Sequence, residues 1–233
     1  MQASEPRVTY TPPPVINRRQ PIATYVIAGI NVAVFLVEFL LTLFGGPDIL
    51  YIYGVKNNVM LAYGQWWRLL TCTMLHGGLE HLAMNTFALV IWGRQVEALL
   101  GRMRFVLVYL AAGLVGSAAS FAFSPANAVG ASGAIFGLFG ALLIFRAKHK
   151  NLFRAIFGMQ VIFIIGLNVL MGFTRPGIDN FGHLGGLAGG YLATGALGLL
   201  GERGVTLPKT LFACGLAVCF FGLCALGVAR VLG

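Results

Sequence analysis

Residues 130–145 read GASGAIFGLFGALLIF, an uncharged run in which small residues recur among large apolar ones. Working outward from it, six further apolar runs occupy residues 22–44, 79–93, 103–124, 153–172, 181–200 and 210–231. Most approach the ~20 residues that a helix needs to cross ~30 Å of hydrocarbon. We therefore predict seven transmembrane helices. The runs 79–93 and 130–145 are short for a straight crossing, so we expect them to begin within a partly immersed loop.

The composition supports an all-α polytopic membrane protein. Charged residues make up 10% of the 233 positions and hydrophobic residues 58%, whereas about a quarter of the residues of a soluble domain are charged. The connections are too short to hold a separate soluble domain, so we predict one membrane domain. Residues 1–20 contain Pro12-Pro13-Pro14 and no secretory pattern, which favours a disordered tail.

The net charge of +9 is interpreted as a signal of topology and not of nucleic-acid binding, because the basic residues fall in alternate connections. Twelve lie on one side of the predicted bundle and four on the other. The positive-inside rule then places the N-terminus in the cytoplasm and the C-terminus outside. The twelve are Arg7, Arg18, Arg19, Arg94, Arg102, Arg104, Arg146, Lys148, Lys150, Arg154, Arg203 and Lys209, and the four are Lys56, Arg68, Arg175 and Arg230.

Two of the predicted spans, 130–145 and 181–200, each carry a polar residue near their outer end: Ser132 in the first and His183 in the second. Both spans follow outside loops, so they run parallel and place the two side chains at the same depth. Small residues spaced four apart let helices approach closely in lipid. The two stripes are Gly133, Gly137 and Ala141, and Gly182, Gly186 and Gly190.

Docking of these stripes predicts a Ser132–His183 pair. A serine hydroxyl is a weak nucleophile at neutral pH, and a neighbouring imidazole can take its proton during attack and return it to a leaving amine. Each residue also has a structural alternative. Ser132 could be one more small residue of a packing stripe, and His183 could be a packed histidine bonded to a carbonyl.

A third polar group lies at the start of span 79–93, where His81 and Asn85 are four residues apart and share a helix face. An imidazole and an amide aimed into one cavity are suitable donors to the oxyanion that forms when a peptide carbonyl is attacked. The competing interpretation is a zinc site with His76. The string fits neither common zinc-protease motif and offers no third ligand at helical spacing, so we predict no metal.

Other arrangements are less well supported. The Gly-x-Ser-x-Gly motif of soluble α/β-hydrolases is absent, because Ala134 stands in the last glycine position. No acid completes a triad: Asp179 is expected in a loop, and Glu38 lies deep in the first span, where a structural hydrogen bond and a role in substrate access both remain open.

Taken together, these motifs resemble the rhomboid family of intramembrane serine proteases over nearly the whole chain. Trp67-Arg68 is similar to the family's Trp-Arg pair in a long outside loop, and the string from His81 to Asn85 is similar to its His-x-x-x-Asn. Residues 130–133, Gly-Ala-Ser-Gly, resemble its Gly-x-Ser-Gly, and residues 182–186 resemble its histidine-bearing sixth helix.

The resemblance implies a six-helix core at 21–201, with a long outside loop at about 45–78. A link and an additional C-terminal transmembrane helix follow at 202–233. It implies that Ser132 is the nucleophile and His183 the general base, with His81, Asn85 and the Ser132 amide as the oxyanion hole. The implied supporting residues are Gly130, Gly133, Phe136, Gly186 and His76. Trp67 and Arg68 are expected to anchor the loop.

Phe136 departs from the tyrosine that family members often carry, so its ring can stack on His183 but has no hydroxyl to contribute. The family implies cleavage of transmembrane segments of other proteins within the lipid bilayer, without a metal or cofactor. The lack of a transit-type leader favours a bacterial inner (plasma) membrane. The rival functions are a catalytically inactive rhomboid-like protein that binds membrane clients, and a transporter, whose polar residues would line the midplane.

Overall fold

The computed structural model describes residue 16, residues 20–175 and residues 177–233. Within these ranges the backbone is helical apart from turns, loops and one isolated antiparallel bridge between Lys56 and Ala128. The predicted tail at 1–20 falls almost wholly outside the described residues, as do Arg7, Arg18 and Arg19. The prediction of an all-helical bundle is confirmed.

Eleven helices occupy the described part of the chain. They are α1 (Ile22–Leu43), α2 (Ile49–Gly54), α3 (Asn58–Ala62), α4 (Arg68–Thr71), α5 (Leu79–Leu100), α6 (Arg102–Phe123), α7 (Ser132–Lys148), α8 (Lys150–Phe157), α9 (Gln160–Thr174), α10 (Asn180–Leu197) and α11 (Leu207–Leu232). By length and composition, α1, α6 and α11 are each able to cross a membrane, and α8 with α9 forms a fourth span if the bent pair is counted as one. The three short helices α2, α3 and α4 lie in the predicted outside loop.

Helix α5 continues seven residues beyond the predicted end of its apolar run and includes Glu97, which is only 2% exposed. The carboxylate of Glu97 accepts hydrogen bonds from the backbone N–H of Ala23 at 3.1 Å and of Thr24 at 2.8 Å, and from the Thr24 hydroxyl at 2.8 Å. These N–H groups belong to the first turn of α1, where backbone N–H groups have no acceptor within their own helix. The N-terminal end of α1 therefore supplies the hydrogen bonds that the buried Glu97 carboxylate needs. With this side chain satisfied, α5 continues past Gly93 to Leu100.

The predicted span 153–172 is two helices, α8 and α9, whose axes differ by 72°. Gly158 separates them with φ +58°, a left-handed conformation that ends a helix and that glycine adopts without strain. Phe153 and Phe157 of α8 are buried, whereas Arg154 between them is exposed. The single straight helix predicted here is thus wrong at its N-terminal end, because an apolar count does not register a glycine bend.

The centre of the bundle is formed by α6, α7 and α10, which approach closely through glycines. A Cβ added at Gly116 of α6 would lie 2.7 Å from the carbonyl oxygen of Gly182 in α10. One added at Gly133 of α7 would lie 3.3 Å from the same oxygen, and one at Gly186 would collide with the Gly133 backbone. Backbones in such contact fix the relative register of the helices, so the first residues of α7 and α10 lie side by side.

The connections between the spans gather at two ends of this bundle. At one end the Leu200 amide donates to the Leu99 carbonyl at 2.8 Å, Arg104 donates to the carbonyl of Glu202 at 2.8 Å, and Lys148 pairs with the Glu202 carboxylate at 2.8 Å. At the other end of α6, Asn57 donates to Asn127 at 3.1 Å. The loops before α7 and α10 lie at this second end.

Candidate active site

A small cavity opens between α6, α7 and α10 at the end where the long loop packs. Ser132, His183, Gly130, Lys56 and Asp179 are among the residues that line it. It has a volume of about 40 Å³, which is enough to admit water. Four polar side chains, those of Ser132, His183, Lys56 and Asp179, therefore line one small cavity inside a largely apolar bundle.

Ser132 is the first residue of α7 and is half-buried. The loop before it is held by the Gly130 amide, which donates to the Cys72 carbonyl at 2.9 Å. Gly130 has φ +120° and lies so close to His81 that an added Cβ would come within 2.7 Å of the imidazole Cε1. Both the backbone conformation and the lack of space require glycine two residues before the serine.

His183 lies in the first turn of α10, where Asp179 caps the helix by accepting from the Gly182 amide at 3.0 Å. The imidazole stacks on the Phe136 ring of α7, with 4.2 Å between ring centroids and 10° between planes. Its Nδ1 atom is buried without a hydrogen-bond partner in the described part of the chain. Ser132 and His183 line the same cavity but, among the described residues, no hydrogen bond joins them. Catalytic hydrogen bonds are often long without substrate.

His81 and Asn85 lie on one face of α5, against Gly130. The Nδ1 atom of His81 accepts from the Gly77 amide at 3.4 Å, which leaves the proton on Nε2, an atom 2.8 Å from the place of a Gly130 Cβ. The Asn85 Nδ2 atom is buried without a partner in the described chain, 3.4 Å from the place of a Gly130 Cβ. Two N–H donors thus meet beside the backbone that leads into Ser132.

His76 packs edge-to-face on His81, with ring centroids 5.3 Å apart, and its Nδ1 lies 3.2 Å from the Met74 carbonyl oxygen. Burial, with a smaller contribution from His81, lowers the pKa of His76 to about 4, so the ring is neutral at pH 7. Residues 20–175 and 177–233 contain no cluster of three or more His, Cys, Asp or Glu side chains that could hold a metal ion.

Trp67 and Arg68 each donate hydrogen bonds to backbone carbonyls of the long loop. The Arg68 guanidinium, whose residue is 3% exposed, donates to the Val55 carbonyl at 2.9 Å and the Ile52 carbonyl at 3.0 Å. The Trp67 indole N–H donates to the Tyr53 carbonyl at 3.0 Å. These bonds join α4 to α2 and do not reach the cavity.

Sequence reasoning missed Lys56 and did not place Asp179 at the cavity. The sequence places Lys56 only among the outside basic residues, although it is the one lysine in a loop with few charges. Asp179 lies four residues before His183, a spacing that predicts a shared helix face. The other acid considered, Glu38, is 5% exposed, and its Oε2 atom has no hydrogen-bond partner in the described chain.

Comparison with known proteins identifies the family to which this chain belongs. Residues 63–200, which run from the long loop through α10, match the model of the Rhomboid domain. The chain belongs to the rhomboid family. It is therefore an integral membrane protein, and the predicted rhomboid-like fold class is confirmed.

Several rhomboid relatives share much of this sequence. Rhomboid protease GluP of Bacillus subtilis is 44% identical over 211 residues, which cover 88% of this chain and 41% of that protein. YdcA of the same bacterium is 38% identical over 137 residues, 58% of this chain and 69% of YdcA. RHOMBOID-like protein 4 of Arabidopsis thaliana is 40% identical over 144 residues, 60% of this chain and 36% of that protein. The chain thus spans about two fifths of the length of GluP.

Proposed function

We propose that this rhomboid protein is a serine endopeptidase that cleaves transmembrane segments of other membrane proteins. The observation that carries the proposal is that Ser132 and His183 line one water-sized cavity beside the unpartnered amide of Asn85. Membership of a family whose relatives include a protein named rhomboid protease GluP supports it.

In the proposed reaction the Ser132 oxygen attacks a peptide carbonyl carbon while His183 takes the hydroxyl proton. Collapse of the tetrahedral intermediate breaks the C–N bond, and His183 gives the proton to the leaving amine. Water, activated by the same imidazole, then hydrolyses the acyl ester and regenerates the serine. Stacking on Phe136 holds the ring plane during both transfers.

The oxyanion is assigned to three N–H donors: the Asn85 amide, the His81 Nε2–H and the backbone amide of Ser132 at the start of α7. The N-terminal end of a helix carries a partial positive charge that adds to their effect. Gly130 leaves room for the two side-chain donors, while Gly133 and Gly186 let α7 and α10 approach. His76 packs behind His81.

The remaining parts of the proposal concern the surroundings of the site. Trp67 and Arg68 keep the outside loop in place next to the cavity. The distribution of basic residues supports a cytoplasmic N-terminus and an outside C-terminus, in a bacterial inner membrane. Substrates are transmembrane segments that unwind locally, because a helix hides its carbonyls from attack.

The experiment is cleavage of a model transmembrane segment by the purified full chain in liposomes. We expect Ser132→Ala and His183→Ala each to lower kcat by more than about 10³-fold, since the two residues act as a unit. His149→Ala is the matched control, because His149 lies in the α7–α8 connection at the far end of α7. It should cleave as the wild type does, and all variants should melt within a few degrees of one another.

Labelling by a fluorophosphonate separates this function from an inactive client-binding rhomboid. The proposal predicts labelling of the wild type and none of Ser132→Ala. A folded wild type that binds the segment, yet neither cleaves it nor takes the label, would establish the inactive alternative.

A further inference from the structure

Lys56 is a fully buried cation in the outside loop, two residues after the end of α2. Its ammonium donates to the carbonyl oxygens of Ala126 at 2.7 Å, Ser124 at 3.2 Å and Ser120 at 3.4 Å, and to the side-chain oxygen of Asn58 at 2.9 Å. An ammonium has three N–H groups, so these four acceptors use all of them. Although Lys56 lines the cavity, no donor remains for a substrate.

The three backbone carbonyls that accept from Lys56 belong to the last turn of α6 and to the loop that leads to Ser132. The backbone of Lys56 also pairs with Ala128 in both directions, at 3.1 and 3.2 Å. Two residues later the Gly130 amide is bonded to the Cys72 carbonyl. Lys56 thus forms hydrogen bonds to Ser124, Ala126 and Ala128 in the segment 124–130. Ser132 lies two residues after the end of this segment. A cation at the C-terminal end of α6 is also favoured by the helix dipole.

Burial of this charge is unfavourable unless every N–H is satisfied. It lowers the pKa of Lys56 to about 8, while the negative charge of Asp179 acts in the opposite direction.

We propose that Lys56 is a positioning residue for the reaction: its ammonium fixes residues 124–130 so that Ser132 and the oxyanion donors beside Gly130 stand in attack geometry. This inference rests on the proposed function of Ser132. Lys56 acts on the reaction only through the loop at 124–130, because its ammonium has no N–H group left to contact a substrate.

The test compares Lys56→Met with Arg230→Gln in the full chain. Arg230 of α11 also donates to a carbonyl at the same end of α6, that of Ala122, but it makes no bond to residues 124–130. Hydrogen exchange of peptides that cover residues 125–131 should speed up about tenfold or more in Lys56→Met. The exchange of these peptides should be unchanged in Arg230→Gln.

Cleavage of the model transmembrane segment is the second measurement. We expect Lys56→Met to lower kcat by about 10–100-fold, the effect of a small misplacement of reacting groups, with KM changed less than about twofold. A role in general stability would instead reduce the active fraction and leave the kcat of the folded fraction intact. Arg230→Gln should retain the wild-type kcat.

Lys56→Gln keeps the proposal testable if Lys56→Met does not fold. Its shorter amide has two N–H donors in place of three, so exchange at 125–131 and kcat should change in the same directions as in Lys56→Met. Unchanged exchange at 125–131, or faster exchange with unchanged kcat, would each overturn the proposal.

An inactive wild type would refute the proposed function, and with it the catalytic part of this inference. The exchange measurement would then still decide whether Lys56 holds the loop, so the two failures are distinguishable.

Discussion

The side-chain amide of Asn85 is buried beside the serine-bearing loop without a hydrogen-bond partner in the described chain. An unsatisfied buried donor costs about 1–3 kcal/mol of stability, and the proposed binding of a transient oxyanion would account for this cost. Its place on α5 follows from the helical spacing with His81, which the sequence showed. Its contact with Gly130 depends on how α5 meets the loop, which the sequence did not show.

Replacement of Asn85 by alanine tests this assignment. We expect kcat to fall about 10²–10³-fold, the loss typical of one oxyanion donor, with little loss of stability because no native hydrogen bond is removed. Gln95→Ala on the same helix is the control, since the half-buried Gln95 amide donates to the Ile91 carbonyl of its own helix and has no other hydrogen bond among the described residues. Equal kcat in Asn85→Ala and wild type would exclude an oxyanion role.

The packing of α7 against α10 could be predicted from the sequence pattern, whereas the bend between α8 and α9 could not. The four-residue spacing of glycines in each helix predicted close packing, and the structure has their backbones in contact at Gly133 and Gly186. The bend at Gly158 between α8 and α9 could not be predicted in the same way, because an isolated glycine is compatible with a straight span as well as with a break.

Gly186→Ala should therefore destabilise the bundle, since its methyl group would collide with the Gly133 backbone. We expect the free energy of unfolding in detergent micelles to fall by about 1–3 kcal/mol, the usual effect of overpacking. Cleavage activity should fall with it as α7 and α10 separate. Gly222→Ala in α11 is the control, because nothing lies within 4 Å of its added Cβ. If both variants unfold alike, the contact does not hold the helices.

The bundle as a whole is joined by polar contacts between residues far apart in sequence. Glu97 of α5 binds the first turn of α1 through Ala23 and Thr24, which lie 74 and 73 residues away. Such contacts decide which helices are neighbours, and the order of apolar runs alone does not.

Glu97→Gln should weaken this contact, because the neutral amide offers one acceptor in place of a carboxylate that receives three hydrogen bonds. We expect a loss of about 1.5–3 kcal/mol in the free energy of unfolding, the range for hydrogen bonds to a charged group. The measurement is equilibrium unfolding of the purified protein in mixed micelles. Glu80→Gln, at the exposed start of the same helix, should change it by less than about 0.5 kcal/mol. Equal losses in the two variants would contradict a specific role for Glu97.

The sequence by itself determined the helical membrane class, the approximate positions of the long helices and the residues proposed for catalysis. It could do so because hydrophobic length, glycine spacing and helical periodicity are local properties of the chain. The tertiary structure alone decided that Asp179 and Lys56 line the cavity, that Glu97 caps α1 and that α8 bends away from α9. These features depend on contacts between segments far apart in the chain, where a buried charge is tolerated only once a distant backbone supplies its hydrogen bonds.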